Sequence, residues 1–285
     1  MKKRIFILLA VYGIAAAYVS SLFYIEGLAY SAPTAERCDL GGIVRKSSYN
    51  DLTEEDYEFI YSQTGLGKPA VRSLDSLEKL YDYQKSYFAE VDFKCKANSP
   101  VSYEERVQNS KILLAPLEDG DILVTNASHV FSWRNGHAAI VTSAEEGKTL
   151  EAVVIGTNSK PQNVSKWTSY PNFAVLRLKG ADRETRAKIA SAAVEYLDDV
   201  PYNVFIGIYP MKYSNIAAVK GTQCAHLVWL AYAAYGYDID SDGGLIVTPK
   251  DIAESDLFEV VQTFGRGTPR CENPPKVSKL QTVTI

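Results

Sequence analysis

The order of the apolar segments along the chain constrains the fold most. Between residues 120 and 178, short apolar runs alternate with turn residues, at positions 122–124, 138–141, 150–155 and 173–178. Runs of this length, bounded by Gly or Asn, are typical of β-strands. Two longer segments follow, one after Asp182 and one that begins at Cys224, and both show helical signals. Strands followed by helices predict an α+β domain over residues 112–285, in which an antiparallel sheet packs against helices.

Residues 36–105 predict a helical region ahead of this domain. Thr53 is followed by acidic residues, as is typical of a capped first turn. Leu77, Leu80 and Phe88 follow helical spacing. The segment contains no His, so we expect an N-terminal helical extension that takes no part in chemistry.

Residues 1–31 have the composition of a targeting segment. Basic residues at positions 2–4 precede an uncharged, mainly apolar stretch over 5–25, and small residues occur at 29–31. This arrangement is typical of an export signal that is cleaved at its end. The stretch is also long enough to remain as a membrane anchor. Both alternatives place the rest of the chain outside the cytoplasm, either secreted or tethered to the membrane through residues 5–25.

Charge and motif content exclude several classes of function. The 285 residues include 30 basic and 34 acidic side chains, for a net charge of −4. Such a chain is a poor binder of nucleic acid, because phosphate contacts need clustered Lys and Arg. The sequence has no Gly-rich phosphate loop, no CxxC and no HExxH motif, so we expect neither a cofactor nor a metal. Its four cysteines are too few for a disulfide scaffold and leave a bridge, a metal ligand or a nucleophile as alternatives.

Cys224 is the candidate nucleophile. It opens the apolar helix Cys-Ala-His-Leu-Val-Trp-Leu-Ala-Tyr, and the amides at a helix N-terminus stabilise a thiolate. A thiolate next to a base is the group that covalent catalysis requires. The alternative is a small buried core residue.

His137 is the candidate base. It follows Gly136 and begins a predicted strand, which would fix the imidazole ring. His226 lies two residues after Cys224 on the same helix and points elsewhere, and His129 lies in a polar loop where we expect it to be solvated. The alternative for His137 is an ordinary exposed imidazole at the start of a strand.

Glu151 is the candidate partner of this base. A catalytic imidazole needs an acceptor on its far ring nitrogen. The turn at 145–148 predicts a hairpin, and a hairpin of that length sets Glu151 on the strand beside His137. The alternative is an ordinary exposed carboxylate at the start of a strand.

Five short motifs together resemble the NlpC/P60 cysteine hydrolases. Three resemble the strands of that family, and two resemble its PY segment and its Cys helix. They are Gly120-Asp121-Ile122-Leu123, Gly136-His137-Ala138-Ala139-Ile140-Val141, Leu150-Glu151-Ala152, Pro201-Tyr202 and Gln223-Cys224-Ala225-His226-Leu227-Val228. Here the strands precede the Cys helix, as in the circularly permuted, YiiX/YaeF-like branch of these papain-like enzymes. The resemblance covers about residues 115–255 and implies a permuted papain-like fold with the nucleophile at a helix N-terminus.

The resemblance also implies roles for individual residues. Cys224 would be the nucleophile, His137 the base and Glu151 the residue that orients it. Tyr202 matches a family tyrosine that lies by the thiol and positions the oxyanion. The motif departs from the family around the nucleophile, at Gln223, Ala225 and His226, and these departures bear on substrate specificity.

The resulting functional prediction is an exported cysteine hydrolase that cleaves amide bonds through an acyl-thioester, without a cofactor. Export and the family resemblance together favour a peptidoglycan stem peptide as the substrate. Permuted relatives also include lipid or acyl-amide hydrolases and acyltransferases, so an acyl substrate is the first alternative. The second alternative is a non-catalytic module that binds the cell wall.

The remaining cysteines are Cys38, Cys95 and Cys271. An exported protein can form disulfides. We expect a bridge between Cys38 and Cys95, because these two residues bracket the predicted helical region.

Overall fold

The structure, a computed structural model, describes residues 2–22, 30–46, 48–130, 133–208, 212 and 215–266. It is an α+β arrangement in which two antiparallel sheets pack against helices. The helices are α1 (Lys2–Leu22), α2 (Gly41–Val44), α3 (Glu54–Thr64), α4 (Lys68–Arg72), α5 (Leu80–Tyr87), α6 (Arg183–Leu197), α7 (Cys224–Ala233) and α8 (Pro249–Ala253). The strands are β1 (Phe93–Ser99), β2 (Ser102–Val107), β3 (Ile122–Thr125), β4 (Ser128–Val130), β5 (Trp133–Arg134), β6 (His137–Ser143), β7 (Lys148–Glu151), β8 (Lys160–Asn163), β9 (Phe173–Leu178) and β10 (Phe258–Phe264).

The larger sheet has the strand order β10-β9-β3-β6-β7-β8, and β1-β2-β4-β5 form the smaller sheet. Successive side chains of the central strand β3 enter different cores. Ile122 and Val124 pack with residues of α6 and α7, whereas Leu123 packs with residues of α3, α4 and α5. Helices therefore cover both faces of the sheet. A strand buried on both faces is expected to read as a continuous apolar run, as β3 does.

Local capping signals fix the predicted helices. The Thr53 side chain accepts from the backbone N–H of Asp56 and completes a capping box at α3. Asp182 caps α6 by accepting from the backbone N–H of Thr185 at 2.7 Å. These bonds satisfy amides that have no partner within the helix, so the predicted starts of both helices are confirmed.

The prediction of helical structure through residue 105 is wrong. The helices of this region end at Tyr87, and β1 and β2 follow, with β2 paired to β4. The charged side chains of Lys94 and Lys96 are exposed on β1, which is the edge of the smaller sheet. Charged residues are common on edge strands, because they discourage pairing with other chains.

The N-terminal segment forms α1 over Lys2–Leu22. Within the described residues, no helix combines the length and the apolar character that crossing a membrane requires. Positions 23–29 of the predicted targeting segment, and the C-terminal residues 267–285 with Cys271, lie outside the described residues.

Candidate active site

Cys224 is the first residue of α7, and its side chain is buried. The preceding residue, Gln223, caps the helix, since its Oε1 accepts from the backbone N–H of Ala225 at 2.9 Å. Its Nε2 donates to the carbonyl oxygen of Val247 at 2.7 Å. The Cys224 thiol donates to the same Gln223 Oε1 at 3.4 Å. One side chain therefore starts the helix, ties it to a neighbouring loop and holds the sulfur.

His137 is the first residue of β6, where the strand fixes its backbone. The preceding Gly136 has a φ of +72°, a conformation that residues with a Cβ rarely adopt. A Cβ at that position would lie 2.6 Å from the carbonyl oxygen of Thr125. The His137 ring is buried and stacks on Trp167, with 5.7 Å between ring centroids and an interplanar angle of 13°. Backbone and stacking together define the position of the imidazole.

Glu151 is the last residue of β7 and lies diagonally opposite His137. The pairing of Ile140 with Leu150 sets Glu151 on the same face of the sheet. His137 Nε2 donates to Glu151 Oε2 at 2.6 Å. His137 also hydrogen-bonds to Cys224, and since Glu151 occupies Nε2, the nitrogen that serves Cys224 is Nδ1. The structure thus brings together the three residues that sequence reasoning singled out.

Electrostatics favour charge on both members of the His137–Glu151 pair. Burial alone would lower the pKa of His137, but hydrogen bonds to Cys224 and Glu151 outweigh it and raise this pKa to about 9. Burial would likewise raise the pKa of Glu151, but His137 and Lys166 lower it to about 2. At neutral pH the site therefore holds an imidazolium between a carboxylate and the Cys224 sulfur.

Further groups that hold Glu151 escaped the sequence analysis. Thr149 Oγ1 donates to Glu151 Oε1 at 2.6 Å, and Trp167 Nε1 donates to the same oxygen at 3.2 Å. Lys166 pairs with Oε2. Lys166 and Trp167 belong to a 3-10 turn over Val164–Ser169 that follows β8. Only the pairing of β7 with β8 brings this turn to Glu151, so no local signal could have identified them.

Tyr202 lies at the edge of the same site and lines a small polar recess together with Cys224 and His137. Burial raises its pKa, and the nearby Cys224 raises it further. The hydroxyl therefore keeps its proton and can act as a hydrogen-bond donor.

His129 is not solvated, contrary to the sequence-based expectation. It lies in β4, is buried, and its Nε2 is 2.8 Å from Glu105 Oε1. Its ring stacks on Tyr103 at 4.2 Å between centroids. The prediction was wrong because the β2 strand that buries His129 was assigned to a helical region.

His226 is held apart from the proposed chemistry. Its Nδ1 is 2.9 Å from Thr222 Oγ1, and burial with nearby Lys212 lowers its pKa to about 4. The ring is therefore neutral at physiological pH.

The predicted bridge between Cys38 and Cys95 is not formed, because both residues are free thiols. The backbone N–H of Cys38 donates to Gln63 of α3, and the Cys38 thiol donates to the carbonyl oxygen of Glu36. Cys95 is exposed on the edge strand β1. The two residues are thus held by different parts of the fold.

An apolar cavity of about 260 Å³ opens beside Cys224. Tyr202 and Gln223 lie where it meets the thiol, and aliphatic and aromatic side chains form most of the remaining wall. These wall residues are Val130, Trp133, Val204, Phe205, Ile208, Ile246, Val247 and Pro249. Phe205 and Ile208 are 64% and 56% exposed, so the apolar surface continues from the thiol to the outside. No single motif in the sequence predicts this cavity, since its lining comes from parts of the chain that are far apart in sequence: β4 and β5, residues 202–208, the start of α7 and residues 246–249.

Comparisons with known proteins give one structural neighbour to report. No protein-family model and no curated protein matches the chain. Among solved structures, the chain is similar to the crystal structure of the metalloprotein YiiX from Escherichia coli O157:H7, DUF1105. The identity is 15%, the match covers 51% of this chain and 97% of that chain, and the TM-score is 0.40. A circularly permuted papain-like fold and a relationship to NlpC/P60 enzymes therefore stay predictions from the motifs.

Proposed function

We propose that this protein is a cysteine hydrolase or acyltransferase that takes the acyl group of its substrate onto Cys224. The observation that carries the proposal is the chain of hydrogen bonds from Glu151 through His137 to Cys224, which ends at an apolar cavity. A nucleophile, a base within hydrogen-bond reach and a group that orients the base are the parts that covalent acyl transfer needs.

The proposed reaction has two halves. In the reactive form the thiol proton of Cys224 already resides on His137, and the thiolate of this thiolate–imidazolium pair attacks the carbonyl carbon of an ester or amide. As the carbon–sulfur bond forms and the bond to the leaving group breaks, the imidazolium returns the proton to the leaving group. Water, or an acceptor hydroxyl or amine, then gives its proton to the neutral His137 and attacks the thioester, which releases the acyl product and restores the pair of Cys224 thiolate and His137 imidazolium.

Tyr202 is proposed to stabilise the oxyanion of both steps. Its hydroxyl stays protonated beside Cys224, and the backbone N–H of Cys224 at the start of α7 supplies a second donor. Loss of one such donor costs about 2.7–4 kcal/mol of transition-state stabilisation in other enzymes. Tyr202→Phe is expected to lower kcat by about 100-fold or more while leaving KM within a few-fold.

The cavity favours an acyl chain as the group that Cys224 receives. Its wall is almost entirely apolar, and apolar walls bind alkyl chains by removing them from water. A peptidoglycan stem peptide carries charged and amide groups that this wall leaves without partners. The first alternative from the sequence, a lipid or acyl-amide substrate, is therefore the one we propose, with the stem peptide as the rival.

A substrate comparison tests the proposal. The purified protein is incubated with short-chain and long-chain acyl esters, with the matching N-acyl amino acids, and with peptidoglycan fragments, and products are identified by mass. We expect turnover of long-chain substrates and an acyl adduct on Cys224 that is absent in Cys224→Ala. Cleavage of the peptide fragments alone would overturn the acyl assignment. A thiol inert to alkylating reagents, without turnover of any substrate, would instead favour a binding module.

Paired variants test the role of the cavity. Ile208→Asp puts a charge on the exposed part of the wall, and we expect it to reduce the preference for long over short chains by about 10-fold or more. Leu257→Asp changes an exposed apolar residue outside the wall and is expected to leave the preference unchanged. Equal chain-length preference in both variants would contradict the assignment of the cavity.

Location outside the cytoplasm is also part of the proposal, and it is supported by the basic and apolar pattern of residues 1–31. Cell fractionation and N-terminal sequencing of the expressed protein test it. A truncated N-terminus indicates a cleaved signal, and an intact membrane-bound chain indicates an anchor. Recovery of the intact chain in the cytoplasm would contradict export.

A further inference from the structure

Three carboxylates outside the proposed triad come together in the segment from 238 to 251. One oxygen each from Asp240, Asp242 and Asp251 lies within 4.8 Å of the others. Asp240 and Asp251 are buried, and Asp242 is exposed. Buried carboxylates repel one another unless a positive charge compensates them.

Asp240 is the member with a buried oxygen that lacks a partner in the described part of the chain. Its side chain is 0% exposed, and its Oδ1 has no hydrogen-bond partner among the described residues. The other oxygen, Oδ2, pairs with Lys212. One ammonium against three carboxylates leaves a local charge of −2, which a divalent cation would neutralise.

The sequence of this loop has the spacing of a calcium ligand set. Asp238, Asp240 and Asp242 alternate with other residues, and Gly243 follows with a φ of +65°. Carboxylates at the first, third and fifth positions and a glycine at the sixth also begin the EF-hand calcium loop. The twelfth position, where that loop has Glu, is occupied here by a proline, and Asp251 provides a carboxylate two residues later.

We propose that this loop binds a calcium ion through Asp240, Asp242 and Asp251. The ligand chemistry favours this metal. Calcium is held by protein carboxylates in flexible sites of about six to eight oxygens, whereas magnesium demands near-ideal octahedral geometry and usually keeps several waters. Three protein carboxylates whose oxygens lie within 4.8 Å of one another, in a loop with the carboxylate spacing of a calcium site, therefore favour calcium over magnesium.

The site adjoins both α7 and the apolar cavity. Trp229 of α7 donates from Nε1 to Asp238 Oδ1 at 2.7 Å, and Lys212 lies 4.9 Å from the centre of its ring. Thr248 lines the cavity and donates from Oγ1 to Asp251 Oδ2 at 2.7 Å. Calcium would therefore fix the cavity wall through Asp251, and its competition with Lys212 for Asp240 would change the surroundings of Trp229.

Calcium titration of the full chain tests this inference independently of any enzymatic activity. Protein treated with a chelator is titrated with calcium chloride while tryptophan fluorescence and heat are recorded, and magnesium chloride is titrated in parallel. We expect saturable binding of one calcium ion below about 1 mM, a change in fluorescence, and at least about 10-fold weaker binding of magnesium. No saturable calcium binding up to several times that concentration, or equal affinity for both metals, would overturn the proposal.

Variants locate the ion. Asp242→Asn alters an exposed side chain and keeps an oxygen for the backbone N–H of Gly244. We expect it to weaken calcium binding by about 10-fold or more, and Asp240→Asn should do the same. Asp256→Asn removes the same charge from an exposed residue outside the cluster, and it should bind calcium as the unaltered chain does. Circular dichroism verifies folding of each variant. Calcium affinity that is unchanged in folded Asp242→Asn would assign the ion elsewhere and contradict the proposal.

Discussion

At the scale of single residues, the negative charge of Glu151 organises the candidate site. Its two oxygens accept from Thr149, Trp167 and His137 and pair with Lys166. A buried carboxylate with so many donors stays ionised, and in turn it keeps His137 protonated and oriented. The proposed thiolate therefore depends on a residue that does not contact it.

Replacement of Glu151 by Gln tests this dependence. The amide keeps an acceptor for His137 but removes the charge, so we expect kcat/KM to fall by about 100- to 10,000-fold. The pKa of His137 should also fall, which moves the alkaline limb of the pH–rate profile to lower pH. Glu118→Gln, which breaks ion pairs with Arg177 and Arg186 elsewhere in the fold, is the control. A lower rate with an unmoved alkaline limb would indicate a merely structural role for Glu151.

The raised pKa of His137 also makes stability depend on pH. The folded pKa is about 9 and the ordinary value is 6.5, so the folded state binds this proton more tightly. The contribution is complete below pH 6.5 and is lost as the pH rises through about 9. We expect the free energy of unfolding in urea to fall by up to about 3 kcal/mol between pH 6 and pH 9.5. The decrease should be smaller in His137→Asn, and an equal decrease in that variant would contradict the assignment.

The residues that the sequence predicts correctly are those with local signals. The start of an apolar helix identifies Cys224, and the length of the hairpin after His137 identifies Glu151. The side chains that surround these residues cannot be predicted from local sequence signals. Trp167 meets His137 only because β8 pairs with β7, and the burial of His129 depends on β2. Such contacts join distant parts of the chain, which hydrophobic periodicity does not encode.

At the scale of elements, the start of β6 is a junction that sets the position of the base. Gly136 turns the chain into the strand with a positive φ, and the backbone of Thr125 passes close to it. The strand then positions His137 next to Cys224 at the start of α7. A small distortion at this junction would therefore displace the imidazole rather than unfold the sheet.

Paired glycine substitutions separate two constraints at this junction, the positive φ and the close contact with a backbone oxygen. Gly136→Ala introduces both an unfavourable φ and a Cβ 2.6 Å from a backbone oxygen. Gly156→Ala introduces only the unfavourable φ, since no atom lies within 4 Å of its Cβ. We expect Gly156→Ala to cost about 1–2 kcal/mol of stability, and Gly136→Ala to cost more and to lower kcat as well. Equal losses of stability in the two variants, measured by urea unfolding, would show that the backbone near Thr125 moves away from the new Cβ without an energetic cost.

At the scale of the whole molecule, one apolar core joins the N-terminal helices to the sheet that carries the site. The core contains Leu80 of α5, Leu123 of β3, Val175 of β9 and Trp167, which stacks on His137. The helices thus cover a sheet face that would otherwise expose an apolar patch. The sequence predicts an accessory region here, but these helices pack into the same core as Trp167 and therefore help to hold the candidate site in position.

This shared core predicts a single unfolding transition. Leu80→Ala removes a fully buried side chain from α5, and we expect it to cost about 2–5 kcal/mol. If the helices and the sheet unfold together, tryptophan fluorescence and far-UV circular dichroism should shift to the same lower midpoint in urea. Tyr81→Ala, at a neighbouring side chain that is 40% exposed, should leave the midpoint nearly unchanged. Separate midpoints for the two signals in Leu80→Ala would show instead that the helices unfold independently of the sheet.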